Sequence, residues 1–196
     1  MTNLINLINY SLRLVNILPD LIKKCYILNN EIYLLISKKD LLFIIFFLKN
    51  SINNQYKSLV DLTAVDFLQK KQKIEIYYFL LSIEFNFRIA LQINLSEAES
   101  IETVSYFFKS ANWLEREVWD LFGVIFLKHP DLRRILTDYG FNGHPLRKDF
   151  PLIGYTELRY DEEKKSIIYE SIEMAQEMRL FNFLSPWEQK KYIKNL

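Results

Sequence analysis

Glu115, Glu117, His129 and His144 are the side chains of this sequence that could serve a hydrolytic metal, since they offer carboxylate and imidazole donors. Their spacing argues against it. Two residues apart on a helix, Glu115 and Glu117 point about 200° away from each other, and neither histidine belongs to an H-x-x-x-H pair. The single cysteine, Cys25, cannot close an internal disulfide or by itself hold an iron–sulfur cluster or a structural zinc, and it is expected as a small core hydrophobe. Gly140 and Gly143 build neither G-x-G-x-x-G nor a Walker loop, and no G-x-S-x-G elbow occurs. The chain offers no independent catalytic constellation and no metal site.

What remains is a dense run of charge. On a predicted helix from Asn112 to Phe122, Glu115, Arg116, Glu117, Trp119 and Asp120 are expected on a charged and aromatic side, opposite a face that buries Leu114, Val118, Leu121 and Phe122. His129-Pro130-Asp131-Leu132-Arg133-Arg134 follows, then Gly143-His144-Pro145-Leu146-Arg147-Lys148-Asp149-Phe150-Pro151. Charges beside rigidifying prolines suggest a fixed electrostatic surface. Arg133, Arg134, Arg147 and Asp149 fit internal ion pairs and helix-end contacts, and they fit bidentate pairing across an interface equally well. A nucleic-acid groove is disfavoured, because residues 128–149 net only +2, from five basic and three acidic residues.

Composition bounds the rest. With 196 residues, the chain has room for one ordinary core and an appendage, and its formal charge of +1 gives no global field for nucleic acid or an anionic membrane. The longest apolar run, 41–48, is too short to span a bilayer as a helix, so no transmembrane segment is expected. In the first nineteen residues Leu4, Ile5, Ile8, Leu12, Val15 and Leu18 fall near helical spacing, with Arg13 as the one charge. A native amphipathic helix is favoured there over an arginine-rich targeting peptide. Residues with AT-rich codons outnumber those with GC-rich codons by 85 to 22, which points to an organellar or reduced bacterial genome.

The elements that must position the charged run can be read from periodicity. Ile74 to Leu80 and Ile83 to Ile93 alternate as strands, with a turn near Glu84 to Asn86. Cys25 to Leu28, Ile32 to Ile36 and Leu59 to Val65 read as further strands, the first two joined at Asn29-Asn30. Asp40 to Lys49 reads as a helix. Ser96 with Glu99 matches a capping box opening a helix through Ile101, Val104 and Phe108, and Gly123 is a left-handed stop for the helix that begins near Asn112. The fold class is α+β: an open mixed sheet with helices on one side (1–125), followed by an extended C-terminal arm (126–196).

All four glycines and four of the five prolines lie in the last 74 residues, from Gly123 onward. Between Glu157 and Glu177 seven acids face three bases, interleaved with or flanked by Tyr155, Tyr160, Tyr169, Phe181, Phe183 and Trp187. An arm without its own core must bury such rings against another surface.

Glu115-Arg116-Glu117-Val118-Trp119-Asp120-Leu121-Phe122-Gly123, the His129 to Phe141 run and Gly143 to Leu152 closely resemble the signature of the complex I thirty-kilodalton subunit family. Lys57 to Asp66 resembles the family's strand, and Ser185-Pro186-Trp187-Glu188 its C-terminal end. The resemblance implies a scaffold subunit of the peripheral arm of proton-translocating NADH:ubiquinone oxidoreductase, with no catalytic residues of its own. It implies an arm that wraps the quinone-site subunit and approaches the subunit holding the terminal iron–sulfur cluster, beside other hydrophilic-arm subunits. FMN, iron–sulfur clusters and ubiquinone would be held elsewhere in the complex. The location implied is the matrix side of the mitochondrial inner membrane, or the cytoplasmic side of a bacterial one, with membrane association through the complex. Partner contacts are expected at Glu115, Arg116, Trp119, Asp120, His129, Arg133, Arg134, His144, Arg147, Asp149, Tyr155, Tyr160 and Trp187. Photosynthetic NDH-type complexes, membrane-bound hydrogenases and a free-standing binding module are the alternatives.

Overall fold

Period-two alternation builds the centre of the molecule. The computed structural model describes residues 2–68, 70, 72–179 and 181. Strands β1 (Ile22–Leu28), β2 (Glu31–Ile36), β3 (Ser58–Asp66), β4 (Ile74–Ser82) and β5 (Phe87–Leu95) form one sheet in the order β1-β2-β5-β4-β3. The β2–β5 pair is parallel and the other pairs are antiparallel, which makes the sheet mixed as expected. Asn29 and Asn30 close the first hairpin with φ of 50° and 63°, the left-handed geometry that asparagine tolerates and a two-residue hairpin demands. The turn between β4 and β5 falls at 83–86, where Asn86 has φ 51°.

One face of the sheet carries the core. Ile32, Leu34 and Ile36 pair with Ile89, Leu91 and Ile93, and these with Leu80, Tyr78 and Ile76, all buried. Helices α1 (Thr2–Ile17), α2 (Leu41–Asn50) and α3 (Ala111–Phe122) join this core through Leu7 and Leu14, through Leu41, Ile44, Ile45 and Leu48, and through Ala111, Val118 and Phe122. Each fully buried Leu, Ile, Val or Phe side chain contributes about 1.5–3 kcal/mol by leaving water. The opposite face carries a half-buried aromatic row, with Tyr26 stacked on Tyr33 at 5.2 Å and Tyr77 on Phe79 at 6.3 Å between ring centroids.

Two expectations change. Ser96 and Glu99 do hydrogen-bond reciprocally, Ser96 N to Glu99 Oε2 at 3.2 Å and Glu99 N to Ser96 O at 3.0 Å, but no helix follows. Ile101–Glu102 instead forms β6, parallel to β7 (Phe126–Leu127), while Val104 and Phe108 are buried from loop backbone. Tertiary pairing outweighs a local capping motif. The chain also divides into compact units at 152/153 rather than after 125, because residues 128–150 fasten onto α3.

In the second unit, within the C-terminal stretch expected as an arm, β8 (Thr156–Asp161) and β9 (Ser166–Ser171) form an antiparallel hairpin. Phe183 and Trp187, with the Ser185–Glu188 run, lie outside the described residues.

Candidate functional site

Helix α3 is the post to which the charged run is tied. Ala111, Glu115, Val118 and Phe122 fall at helical spacing on the stripe that meets the core, so the helix carries an acid inward. Glu115 and Asp120 are wholly inaccessible and Arg116 is buried, while Leu114 and Leu121, expected in the core, are only partly covered. The expected division of α3 into an apolar inner face and a charged outer one is therefore corrected: three of its charges point inward and hold other backbone.

Asp120 gathers the backbone of the irregular segment beyond it. Its Oδ2 accepts the amides of Ile135, Leu136 and Thr137 at 3.1, 2.8 and 2.9 Å, and its Oδ1 accepts the Thr137 hydroxyl at 2.5 Å and Arg134 Nη1 at 2.7 Å. Burial opposes the charge, yet these donors prevail and hold the carboxyl well below the usual range. Arg116 completes the clasp, donating to the carbonyls of Arg133 and Arg134 at 3.1 and 3.2 Å. The Arg134 guanidinium lies over Trp119 at 5.6 Å and over Phe141 at 5.7 Å.

The second half of the run caps the C-terminal end of the same helix. Its last carbonyls would otherwise lack partners. His144 Nδ1 donates to Asp120 O at 2.9 Å, the Leu146 amide to Leu121 O at 3.1 Å, and Arg147 Nε to Phe122 O at 2.6 Å. Gly123 stops the helix with φ 78°, and a Cβ there would lie 2.5 Å from the His144 ring and 2.7 Å from Arg147. Arg147 also pairs with Glu97 at 3.1 Å, and the Lys148 amide reaches buried Asp66 at 2.8 Å.

At the opposite end His129 is held against α3, its Nε2 3.1 Å from Asn112 O and 3.7 Å from Glu115 Oε2. Glu115 accepts the Val104 amide at 2.7 Å and bonds the Thr103 hydroxyl. Burial pushes its carboxyl up to about 7, against the lowering effect of those two bonds. Thr103, Thr137, Asp66 and Glu97 are the participants that sequence reading missed.

The thirteen candidate contact residues thus separate. Glu115, Arg116, Asp120, His129, Arg134, His144 and Arg147 meet inside the first unit and hold it together, and Trp119 lies beneath Arg134. Arg133 is exposed and pairs with Asp131 at 2.9 Å, and Asp149 is exposed. Tyr155 and Tyr160 are exposed in the second unit, and Trp187 lies outside the described residues.

The hairpin of the second unit has two unlike faces. Leu158 is paired with Tyr169, and Tyr160 with Ile167, so all four project to one side, and each is more than half exposed. On the other side Arg159 grips Glu170 with bonds of 3.0 and 2.6 Å. A two-stranded hairpin with an open apolar face is a surface for burial against something else.

Among the described residues no group of three or more His, Cys, Asp and Glu side chains could hold a metal ion, and no helix is long and apolar enough to cross a membrane.

The family described as the 30 kDa subunit of respiratory-chain NADH dehydrogenase matches residues 34–156. NADH-ubiquinone oxidoreductase subunit 9 of Reclinomonas americana is 51% identical over 185 residues, covering 94% of this chain and 91% of that one. An NADH-quinone oxidoreductase subunit of Dinoroseobacter shibae is 45% identical over 175 residues, covering 89% and 81%. A chain of the membrane-bound sulfane sulfur reductase, an archaeal respiratory membrane complex, superimposes with a TM-score of 0.62 at 21% identity over 74% of this chain and 85% of that one, a likeness of fold.

Proposed function

We infer function from one premise: the chain belongs to the 30 kDa subunit family of the respiratory-chain NADH dehydrogenase. It is a peripheral subunit of complex I, the NADH:quinone oxidoreductase, and its partners are other subunits of that membrane-associated complex. Its contribution is to hold those partners in fixed relative positions. In finer terms, the chain scaffolds the quinone-reducing module, its second unit lying against the quinone-site subunit and near the subunit with the terminal iron–sulfur cluster. FMN, the clusters and ubiquinone belong to other subunits, and this chain supplies no catalytic residue. Its place is the matrix side of the mitochondrial inner membrane.

The observation that carries the scaffold reading is the contrast in how side chains are used. Asp120, Arg134 and Arg147 are engaged inside the first unit, which fixes its shape, whereas Leu158, Tyr160 and Ile167 of the β8–β9 hairpin are each more than half exposed. Electron transfer and quinone chemistry depend on such positioning, so a chain without reacting groups still governs rate.

The test is blue-native separation of membranes solubilised in mild detergent, probed for this chain beside an in-gel NADH dehydrogenase stain. Co-migration with the large active band, and loss of that band when the chain is truncated after Gly140, are expected. Migration as a small free species, with the active band intact after truncation, would overturn the scaffold role.

A further inference from the structure

Glu115 is a buried acid without a permanent cation. The ring of His129, itself inaccessible to solvent, is the one basic group of the described residues within ion-pair distance of it, at 3.7 Å. The hydrogen bonds of that ring fix its tautomer. Asn112 O can only accept, so Nε2 carries the hydrogen, and the Asp131 amide can only donate, so Nδ1, 3.1 Å away, offers a lone pair. Backbone on both sides therefore holds the His129 ring in one orientation.

The remaining surroundings of Glu115 give a charge little support. The segment after β6 supplies the Thr103 hydroxyl, which also bonds Ser105, and the Val104 amide. From β4 comes Tyr78, wholly buried, its hydroxyl without a hydrogen-bond partner and its ionisation opposed by burial and then by Glu115. β3 packs against α3, and its acids Asp61 and Asp66 are engaged by the Leu62 and Lys148 amides. On α3 itself, Arg116 is directed to the carbonyls of Arg133 and Arg134, and Asp120 is paired with Arg134.

We propose that Glu115 and the His129 ring over it form a proton-operated latch that fastens the start of the 129–137 segment to α3, closed while Glu115 is protonated and loosened when Glu115 ionises. Ionisation leaves a negative charge in a site with no fixed counter-charge. The proton passes to solvent, and the His129 ring, 3.7 Å away, covers the carboxylate without cancelling its charge. The turn 129–131, which holds that ring over the carboxylate, then opens to admit water. The 129–137 segment carries Arg133 at the surface and the amides that Asp120 binds, so the latch couples the protonation of one carboxyl to the shape of an exposed stretch.

The test is hydrogen exchange on the full chain at about pH 6 and about pH 8.5, corrected for the intrinsic pH dependence of exchange, with Glu115→Gln alongside. In the parent chain, protection of the 131–137 amides relative to β4 and β5 should fall by about tenfold or more at the higher pH, and in Glu115→Gln it should not. Equal relative protection at both pH values, or the same fall in the variant, would overturn the latch. Carbon-13 detection of the Glu115 carboxyl in the parent chain gives an answer that does not rely on the variant folding. A midpoint near neutrality supports the latch, and a midpoint in the ordinary carboxylate range overturns it.

Discussion

The stretch from His129 to Arg147 and the hairpin from Thr156 to Ser171 both lack a core of their own, yet their side chains find partners in different ways. In the first, arginine, histidine and backbone amides close on α3, through bonds to buried Asp120 and to the carbonyls of residues 120–122. In the second, the Arg159–Glu170 pair stays at the surface and Leu158, Tyr160, Ile167 and Tyr169 share one exposed face. The difference shows which part is shaped in advance and which part awaits a neighbour. Charged groups locked by several directional bonds define a rigid shape, whereas an open apolar face is stabilised by whatever covers it.

The strongest way to break this contrast is Asp120→Ala, which strands three backbone amides and the Arg134 guanidinium. Breaking such a buried charged network costs about 3–5 kcal/mol. Urea unfolding of the chain should show it, and a loss under about 1 kcal/mol would mean that the clasp is held by something else. The pH dependence follows from the same geometry. A carboxyl held below its ordinary range contributes stability that is complete above that range and disappears as pH falls toward the folded-state value, so acid should loosen the parent and leave Asp120→Ala less affected.

Glu115 carries the opposite sign. A carboxyl pushed up from an ordinary 4.5 to about 7 contributes stability that is complete below about 4.5 and is lost as pH rises through about 7. Over that window the parent should lose about 3 kcal/mol relative to Glu115→Gln, read from urea midpoints at a series of pH values. A stability difference that stays constant with pH would contradict the assignment.

Gly123→Ala should cost about 2 kcal/mol, because the left-handed φ of 78° disfavours a Cβ and because His144 and Arg147 occupy its place. A thermal melt checks this, with Gly140→Ala as the comparison, since that glycine has φ 75° but nothing near its Cβ position. The excess at Gly123 measures the contribution of the cap beyond backbone strain. The smallest effect on stability is expected from Leu158→Ser with Ile167→Ser, within about 0.5 kcal/mol, together with a several-fold fall in incorporation into the complex. Normal incorporation on a native gel would remove the hairpin from the interface.

Much of this frame was legible from residue pattern. Asn29-Asn30, the alternation on either side of Glu84 to Asn86, and Gly123 each carry a local signal that the structure follows, because turn geometry and strand faces depend on neighbours in sequence. The Ser96–Glu99 box was legible but misleading, since the pairing of Ile101 with Phe126 lies outside any local window. The inward placement of Glu115 had a signal that was overlooked. It shares a stripe with Ala111, Val118 and Phe122, and counting charge as exposed hid it. Asp120 had only a partial one: an ion pair for Arg134 was foreseeable, but three of its five donors are backbone amides of residues 135–137, which no side-chain type betrays.

The most direct measurement compares hydrogen exchange of this chain free and within the assembled complex, region by region. Amides of β8 and β9 should gain protection of about a hundredfold or more on assembly, while those of 134–147 stay within about threefold of their free values. Unchanged exchange in the hairpin, or a gain confined to 134–147, would contradict the division between a segment shaped within the chain and a hairpin shaped by its partner.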